Sequence, residues 1–367
     1  MRWRVPVARV GASLPAVAVG DAAAFVAPRG PRGDLVAVEL GSGRTRWRAT
    51  LGAAVQAMAS SRAATLAVDA GAHGGLVGLD TATGRRRWST AGIQGDADVV
   101  GFAGPWLLVV ADGEVRALDA VAGTQRWRRD LPPHGVVDIV NEQPVITRPG
   151  EVAMLHQHTG AVRWRTTLAG VSAVAAAPRR ARLLAVVTSS GFLHALDPAT
   201  GAERWRTRLG AVSGTARVVD VGPDHVVAAV ETDATGRGRT DVVVVEAADG
   251  RDRWRLQLPT RAKSVRVALR DELRLGWVGP GSSRVAVVGL GSGRVRWAEE
   301  VPHALDIRLA DRPLVLEPNG LTELDISTGQ PAWELPVVAS AGELLGLHDG
   351  AVLLSTPDRL LLVQLPE

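Results

Sequence analysis

A glycine followed four residues later by a tryptophan occurs eight times along this chain. In each copy an extended apolar run leads into a short polar turn, and the glycine takes the last turn position, where a positive φ is needed. Successive tryptophans are 36 to 49 residues apart, which is the range of a propeller blade. The pairs are Gly43/Trp47, Gly84/Trp88, Gly123/Trp127, Gly160/Trp164, Gly201/Trp205, Gly250/Trp254, Gly293/Trp297 and Gly329/Trp333. The repeat predicts a chain built from β-hairpins.

Two further apolar runs precede each hairpin. Val171–Ala177 and Leu183–Thr188, for example, come before the hairpin strands Phe192–Leu196 and Arg204–Leu209. Four strands per repeat make one blade of a β-propeller, and neighbouring blades must stack because one blade cannot bury both of its faces. We expect the tryptophans to be structural and to fill the gap between outer strands; they are Trp3, Trp47, Trp88, Trp127, Trp164, Trp205, Trp254, Trp297 and Trp333.

The two ends of the chain together predict one more blade. Three strands, Glu343–Leu347, Ala351–Ser355 and Arg359–Leu365, follow the last hairpin without a fourth. The segment Arg2-Trp3-Arg4 matches Arg46-Trp47-Arg48, so it is expected to pair with the last of these strands and remove the open edge. We therefore expect an all-β fold in which residues 1–367 form a single closed propeller domain of nine four-stranded units, the last closed by the N-terminal strand.

An acidic residue stands four positions before the glycine in six of the eight hairpins. We expect it to cap the free amides of the turn. Cation binding is the alternative, but equivalent acids lie one blade apart, and calcium needs about six converging oxygens. The acids are Glu39, Asp80, Asp119, Asp197, Glu246 and Asp325, with His156 and Gly289 as the exceptions.

Arginine precedes the tryptophan in eight of nine repeat units. Such a basic belt keeps outer strand edges soluble and prevents edge-to-edge pairing, while arginine stems cover tryptophan rings. A nucleic-acid surface is the alternative, which the low formal charge of +4 and the absence of a binding motif disfavour. The arginines are Arg2, Arg46, Arg87, Arg126, Arg163, Arg204, Arg253 and Arg296.

Composition bears on the compartment. The chain has no Cys, which excludes disulfides and thiol chemistry, and no apolar run reaches the roughly 18 residues of a membrane span. Residues 1–24 have basic and apolar positions like a signal peptide, but Pro6, Arg9, Pro15 and Asp21 interrupt the apolar part. We expect this segment to belong to the folded protein and the location to be cytoplasmic, with export or the cell envelope as the alternative. The excess of Arg, Ala, Gly and Val over Lys is typical of a bacterial GC-rich genome.

The hairpin Ala195-Leu196-Asp197-x-x-Thr200-Gly201-x-x-x-Trp205 resembles the repeat of the quinoprotein-alcohol-dehydrogenase-like, or PQQ-like, β-propeller family. The resemblance implies a closed propeller, usually of eight blades. Its members include calcium- and quinone-dependent dehydrogenases, an outer-membrane assembly lipoprotein scaffold and many bacterial interaction domains. Those dehydrogenases are longer and carry an adjacent cysteine pair over the quinone, and the lipoprotein is lipidated on Cys. A chain without Cys has neither feature, so we expect no cofactor and no binding of calcium or pyrroloquinoline quinone.

Four histidines lie where the repeat is broken. His156 and His158 flank one residue of a hairpin turn and are candidate metal ligands, but with no third ligand in view the spacing favours a solvated turn. His134 and His303 hold matching places in loops that enter an innermost strand. They are four blades apart, so we do not expect them to share one ion.

Two classes of function are compatible with the sequence. All of the strongly repeated residues are explained by the propeller fold itself. This favours a monomeric, non-enzymatic scaffold that binds another protein. The alternative is a small-molecule-binding or enzymatic propeller with its site at the mouth of the central channel. No arrangement of catalytic residues follows from spacing, so we predict no catalytic and no cofactor-binding residue.

Overall fold

The computed structural model describes most of the chain. The described residues are 3–6, 15–27, 32–61, 65–69, 75–90, 93, 97–176, 183–210, 212, 216–232, 239–258, 265–269, 272–277, 283–309, 312–337, 342–348, 351–356 and 359–365.

The described residues form 36 strands and no helix, arranged as nine four-stranded antiparallel blades in a ring. The protein is a β-propeller with the predicted nine blades rather than the eight usual in the family it resembles. Within this part of the chain no helix is long and apolar enough to cross a membrane.

The strands follow one another from the inside to the outside of each blade. Blade 1 contains β2 (Ala16–Val19), β3 (Ala23–Ala27), β4 (Asp34–Glu39) and β5 (Thr45–Thr50). Blade 2 contains β6 (Ala57–Ser60), β7 (Thr65–Asp69), β8 (Leu76–Asp80) and β9 (Arg86–Thr90). Blade 3 contains β10 (Asp98–Ala103), β11 (Trp106–Ala111), β12 (Glu114–Asp119) and β13 (Gln125–Asp130). Blade 4 contains β14 (Val136–Val140), β15 (Gln143–Arg148), β16 (Gly150–Leu155) and β17 (Val162–Leu168). Blade 5 contains β18 (Val171–Ala176), β19 (Leu184–Thr188), β20 (Phe192–Leu196) and β21 (Glu203–Arg208).

The remaining blades have the same plan. Blade 6 contains β22 (Ala216–Val221), β23 (His225–Thr232), β24 (Arg239–Glu246) and β25 (Asp252–Leu258). Blade 7 contains β26 (Val265–Leu269), β27 (Glu272–Trp277), β28 (Arg284–Gly289) and β29 (Val295–Glu300). Blade 8 contains β30 (Asp306–Leu309), β31 (Pro313–Glu317), β32 (Gly320–Leu324) and β33 (Pro331–Pro336). Blade 9 contains β34 (Glu343–His348), β35 (Ala351–Ser355), β36 (Arg359–Gln364) and β1 (Trp3–Pro6).

The fourth strand of blade 9 comes from the other end of the chain. β1 pairs antiparallel with β36, with Trp3 opposite Leu362. This is the register of blade 1, where Trp47 lies opposite Ala37. Apolar residues of blades 1 and 9 share one buried cluster, which includes Val26. Residues 1, 2, 7 and 367 lie outside the described residues, and the expectation that β1 closes the ring stays a prediction.

The core lies between the blades. Middle strands such as β3, β7, β19 and β35 are buried at every residue, because neighbouring blades cover both of their faces. The outermost strands alternate between exposed and buried residues, and in β5, β13 and β21 the fully buried residue is the tryptophan. Buried area therefore couples each blade to its neighbours rather than stabilising a blade alone.

Seven of the repeat tryptophans also form a hydrogen bond to the next blade. In blades 1 to 7 the indole Nε1–H donates to the carbonyl that follows the turn acid position of the next blade, at 2.7 to 3.2 Å. The pairs are Trp47–Thr81, Trp88–Ala120, Trp127–Gln157, Trp164–Pro198, Trp205–Ala247, Trp254–Leu290 and Trp297–Ile326. In blade 8 the buried Trp333 Nε1 has no acceptor among the described residues.

The turn glycine is required for two reasons, shown by Gly84. Its φ is 71°, a conformation that residues with a side chain rarely adopt. A Cβ at this position would also lie 2.5 Å from Cδ2 and 2.7 Å from Cε3 of Trp47 in the preceding blade. The conserved spacing within the repeat therefore reflects a contact between blades as well as a turn.

A β-bulge lies in every one of the eight hairpins between the third and fourth strands. In blade 1 the pairing passes from Ala37 opposite Trp47 to Val38 opposite Thr45, which leaves Arg46 in the bulge. The arginine of the repeat is thus the bulged residue rather than a regular strand residue on the face opposite the tryptophan. This position was not predicted, because a bulge leaves no mark on the spacing from glycine to tryptophan.

In blade 6 the second strand, β23, ends at Thr232 and the third strand, β24, begins at Arg239. Thr232 pairs with Arg239 at the end of these strands. Residues 233–238 lie outside the described residues.

Candidate functional site

Four of the six turn acids, Asp80, Asp119, Asp197 and Asp325, cap the amides of their turns as predicted, whereas the described hydrogen bonds of the Glu39 and Glu246 carboxylates are to side chains. In blade 5, Oδ1 of Asp197 accepts hydrogen bonds from the amides of Ala199 (2.8 Å) and Thr200 (3.1 Å). Its other oxygen binds the guanidinium of Arg204, and this bond, followed by the turn amides, holds the pKa of Asp197 below its usual value. In blade 2 the matching bond from Arg87 lowers the pKa of Asp80 to about 2. These carboxylates remain ionised and are engaged within their own hairpins.

The bulged arginines are the partners of these acids. Each reaches back seven residues to the turn acid, so much of the basic belt is paired. The pairs are Arg46–Glu39 (3.3 Å), Arg87–Asp80 (2.5 Å), Arg204–Asp197 and Arg253–Glu246 (2.6 Å). In blade 7, where Gly289 replaces the acid, Arg296 binds Glu272 of a neighbouring strand instead. Among the described residues, ion pairs therefore interrupt the belt in blades 1, 2, 5, 6 and 7.

Blade 4 differs from this scheme. His156 takes the acid position, and its Nδ1 accepts only a 3.3 Å hydrogen bond from the amide of His158. Arg163 occupies the same bulge as the other arginines, between the pairs Met154–Trp164 and Leu155–Val162. It is exposed and has no acidic partner among the residues that the structure describes.

A tryptophan outside the repeat meets this turn from blade 3. Trp106, the first residue of β11, donates a 3.0 Å hydrogen bond from Nε1 to Nδ1 of His158. The two rings are perpendicular, with centroids 5.7 Å apart, and the His156 ring lies 5.6 Å from that of His158. We call Trp106, His156 and His158 the His–Trp patch. The guanidinium of Arg126 lies over the Trp106 ring, 5.9 Å from its centroid.

The hydrogen bonds of the His–Trp patch determine what its imidazoles offer. Nδ1 of His156 and Nδ1 of His158 both accept hydrogen bonds from N–H groups, so in each neutral ring the proton is on Nε2; Nε2 of His158 lies 3.3 Å from the side-chain amide of Gln157, whereas, among the residues described, Nε2 of His156 remains available. A protonated nitrogen donates hydrogen bonds and does not coordinate a metal. No group of three or more His, Asp or Glu in the described part of the chain is arranged to hold a metal ion. The patch is thus suited to binding a hydrogen-bond acceptor.

The other two repeat-breaking histidines lie in different blades. His134, with a φ of 58°, is in the turn before β14 of blade 4, and it is exposed. His303, in the turn before β30 of blade 8, lines a cavity of about 620 Å³. The other lining residues are Glu317, Pro318, Asn319, Gly320, Thr322, Glu334, Leu335 and Pro336.

A buried charged cluster in blade 6 was not predicted. His225 is 3% exposed, and its Nδ1 lies 2.7 Å from Asp224 and its Nε2 3.3 Å from Asp220. Burial alone would lower the pKa of His225, but the two carboxylates outweigh it and the pKa is raised. Arg253 binds Asp224 at 3.1 Å and completes the cluster. A Cβ on Gly222 would overlap the imidazole ring, so this glycine makes room for it. The adjacent Asp224-His225 pair was the only signal in the sequence.

The innermost strands carry two half-buried ionisable groups. Burial raises the pKa of Asp138 in β14 and lowers that of Arg217 in β22, where the charge of Glu231 opposes the effect. Asp138 and Arg217 lie two blades apart, and neither is brought next to the His–Trp patch by its strand position.

The architecture defines a class of protein: a propeller of four-stranded blades with polar hairpin turns, in which tryptophans of seven blades form hydrogen bonds to the next blade. The family model described as outer membrane protein assembly factor BamB, a PQQ-like repeat model, matches residues 1–105, 75–149 and 148–343. The chain belongs to this PQQ-like β-propeller family. No curated protein sequence matches it.

Solved structures with the same fold are distant in sequence. BamB from Moraxella catarrhalis is 16% identical with a TM-score of 0.56, and the match covers 100% of this chain and 98% of that one. The C-terminal WD40 domain of Sif2 is 10% identical with a TM-score of 0.58, covering 99% and 97%. The quinohemoprotein alcohol dehydrogenase from Comamonas testosteroni is 14% identical with a TM-score of 0.52, covering 97% and 76%. At these identities the likeness shows the fold alone.

The residues present do not fit a quinone–calcium centre. The whole chain lacks Cys, and the described residues hold no acid cluster able to coordinate calcium. The described turn acids already cap turn amides, bind arginines, or do both, so no chemical step through such a cofactor follows from this structure.

Proposed function

We propose that this propeller is a non-enzymatic scaffold that binds another protein, as a monomer. One observation carries the proposal: the strongest departure from the repeat, the His–Trp patch, is an exposed surface of two turns and not an enclosed site. Trp106 is partly exposed, and His156 and His158 are exposed. Tryptophan beside arginine is the composition of protein-binding hot spots. The family model that matches this chain is described as an assembly factor, which supports the same function.

The test is isolation of the tagged full-length chain from its own cells under mild conditions, followed by reconstitution. We expect a co-purifying protein that, once purified separately, forms a complex of fixed stoichiometry by light scattering and calorimetry. A chain that stays alone, and instead binds a small metabolite saturably or turns one over, would overturn the scaffold role. Fractionation of the same cells tests our proposal of a cytoplasmic location against the alternative of export or the envelope.

The cavity beside His303 favours a second candidate, a small-molecule-binding or enzymatic propeller. Glu317 and Glu334 line it together with Asn319, so it offers carboxylates and an amide to a cationic or hydroxylated ligand. A thermal-shift screen of amines, amino acids and sugars tests this function. A ligand that raises the melting midpoint in the wild type and not in Glu317→Gln supports it over the scaffold.

A further inference from the structure

We infer that the His–Trp patch, with Arg126 and Arg163 at its border, binds a protein segment in which acidic side chains alternate with apolar ones. This inference rests on the proposed scaffold function and names the surface and the chemistry of the partner. Every other described hairpin with an arginine before the tryptophan provides that arginine with an acid or an aromatic ring.

Arg163 is the exception. Arg46, Arg87, Arg204 and Arg253 are paired with turn acids, and Arg296 takes Glu272 where its turn has none. In blade 4 the acid is replaced by His156, and no other described acid pairs with Arg163. The next arginine along β17, Arg165, is also exposed and has no acidic partner among the described residues. The outer strand of blade 4 therefore offers positive charge that an external carboxylate can neutralise.

Arg126 adds to this charge from the neighbouring blade. Oδ1 of Asp119, its expected acid, accepts hydrogen bonds from the amides of Val121 (2.9 Å) and Ala122 (2.8 Å). The guanidinium of Arg126 lies over Trp106 instead. A guanidinium stacked on an indole keeps its N–H groups available at its edges, so it can bind a carboxylate while held in place.

The same surface has an apolar part. The Trp106 ring is partly exposed, and Val121, in the hairpin turn of blade 3, is 52% exposed. That turn touches the start of β11, because the amide of Ala120 donates to the carbonyl of Pro105 at 3.0 Å. The Nε2–H group of His156 adds a donor for a carbonyl or carboxylate oxygen. An acid binds the arginines and this imidazole while a neighbouring apolar side chain covers the ring.

A protein segment fits better than a nucleic acid. Binding to a phosphate backbone requires several free cations in a row, whereas the equivalent arginines in blades 1, 2, 5, 6 and 7 are held by acids. Glu142 in the first turn of blade 4 also lies near this surface: a Cβ on Gly104 would be 3.4 Å from Gln157 Oε1 and 3.6 Å from Glu142 Oε2. A negative charge there opposes a continuous polyanion but tolerates a short segment with separated acids.

The decisive variant is His156→Asp, which restores the acid of the repeat. By analogy with Asp197 and Arg204, the new carboxylate should cap the turn amides and bind Arg163, so the fold should be at least as stable as before. At the same time the free charge of the patch is lost. A variant that retains or gains stability while losing binding separates a binding role from a structural one. Arg163→Glu reverses the charge directly, and Arg48→Glu makes the same change on the outer strand of blade 1 as a control.

The probe is a library of random peptides of about 12 residues displayed on phage and selected on the full chain, followed by fluorescence polarisation with the selected peptides. We expect selected sequences to combine Asp or Glu with Leu, Phe or Trp. Binding should weaken about tenfold or more in His156→Asp and in Arg163→Glu, and it should be unchanged in Arg48→Glu. Melting midpoints of all three variants establish that they fold.

Selected peptides without acidic residues, or with equal affinity for the wild type and His156→Asp, would overturn the inference. So would a single-stranded oligonucleotide that binds the patch and excludes the peptides. These outcomes differ from failure of the scaffold role. If the native partner complex forms equally well with Arg163→Glu, the scaffold stands and this surface is wrong; if no protein partner exists at all, both are wrong.

Discussion

The contact between Gly84 and the tryptophan of the preceding blade gives the sharpest test of how the blades are joined. Replacing Gly84 by alanine imposes two costs. Alanine at φ 71° costs about 1–2 kcal/mol, since its Cβ approaches the following carbonyl. The new methyl group would also lie 2.5 to 2.9 Å from three ring atoms of Trp47, and overpacking of this kind costs about 1–3 kcal/mol. We expect Gly84→Ala to lower the free energy of unfolding by about 2–5 kcal/mol.

Gly113 supplies the matched control. Its φ is 72°, and a Cβ there would meet no atom within 4 Å. Gly113→Ala therefore isolates the backbone cost of about 1–2 kcal/mol. Urea denaturation followed by tryptophan fluorescence and by circular dichroism measures both losses.

The double variant identifies the contact itself. In the background of Trp47→Ala the ring atoms are gone, so Gly84→Ala should cost no more than Gly113→Ala does. Equal losses at Gly84 and Gly113 in the wild-type background would refute the reasoning. They would mean that the glycine of the repeat serves the turn alone and that the close approach of the indole plays no part.

Four further outcomes are expected. Deleting residues 1–7 removes β1 from blade 9 and should lower the melting midpoint by several degrees; equal melting of both forms would contradict a closing role for this strand. Trp205→Ala should cost about 3–5 kcal/mol in urea denaturation, since Trp205 is 8% exposed, and a loss below about 1 kcal/mol would refute its structural role. Burial lowers the pKa of His225, but Asp220 and Asp224 outweigh this effect and the net pKa is raised. The contribution of His225 to the free energy of unfolding is therefore complete below its ordinary pKa of 6.5 and is lost as the pH rises through the raised value. Unfolding midpoints should fall over that range in the wild type, and His225→Asn should remove this dependence. Calcium or pyrroloquinoline quinone should leave the melting midpoint unchanged. If either bound, a ligand concentration of 100 times its Kd would stabilise the protein by about 2.7 kcal/mol.

The number of blades and most strand positions could be predicted because the repeat is periodic along the chain. Turn glycines, acids and tryptophans each have a local reason for their spacing, and the count of nine follows from adding the two ends together. The strands Leu183–Thr188 and Phe192–Leu196 were placed to within one residue of β19 and β20. The pairing of Trp3 opposite Leu362 followed from aligning the N-terminal segment with the strand of Trp47.

Only part of the candidate site could be predicted from the sequence. His156 and His158 stand out because they break the repeat, but their spacing favoured a solvated turn, with a metal ligand pair as the alternative. Trp106 lies 52 residues from His158, and nothing between them indicates that the two side chains meet. Their contact fixes which nitrogen of His158 is the acceptor and changes the chemistry that the turn can offer.

The sequence by itself determined the blade, its turn and the number of copies, since these depend on interactions between residues near one another in the repeat. The tertiary structure alone decided what crosses a seam: the indole bonds to the next blade, the glycines that the tryptophans cover, and the meeting of Trp106 with His158. The bulge that places four of the arginines next to their turn acids was likewise decided there. The physical reason is that the period of a repeat can be read along the chain, whereas contacts between blades depend on how two surfaces are packed and rotated against each other.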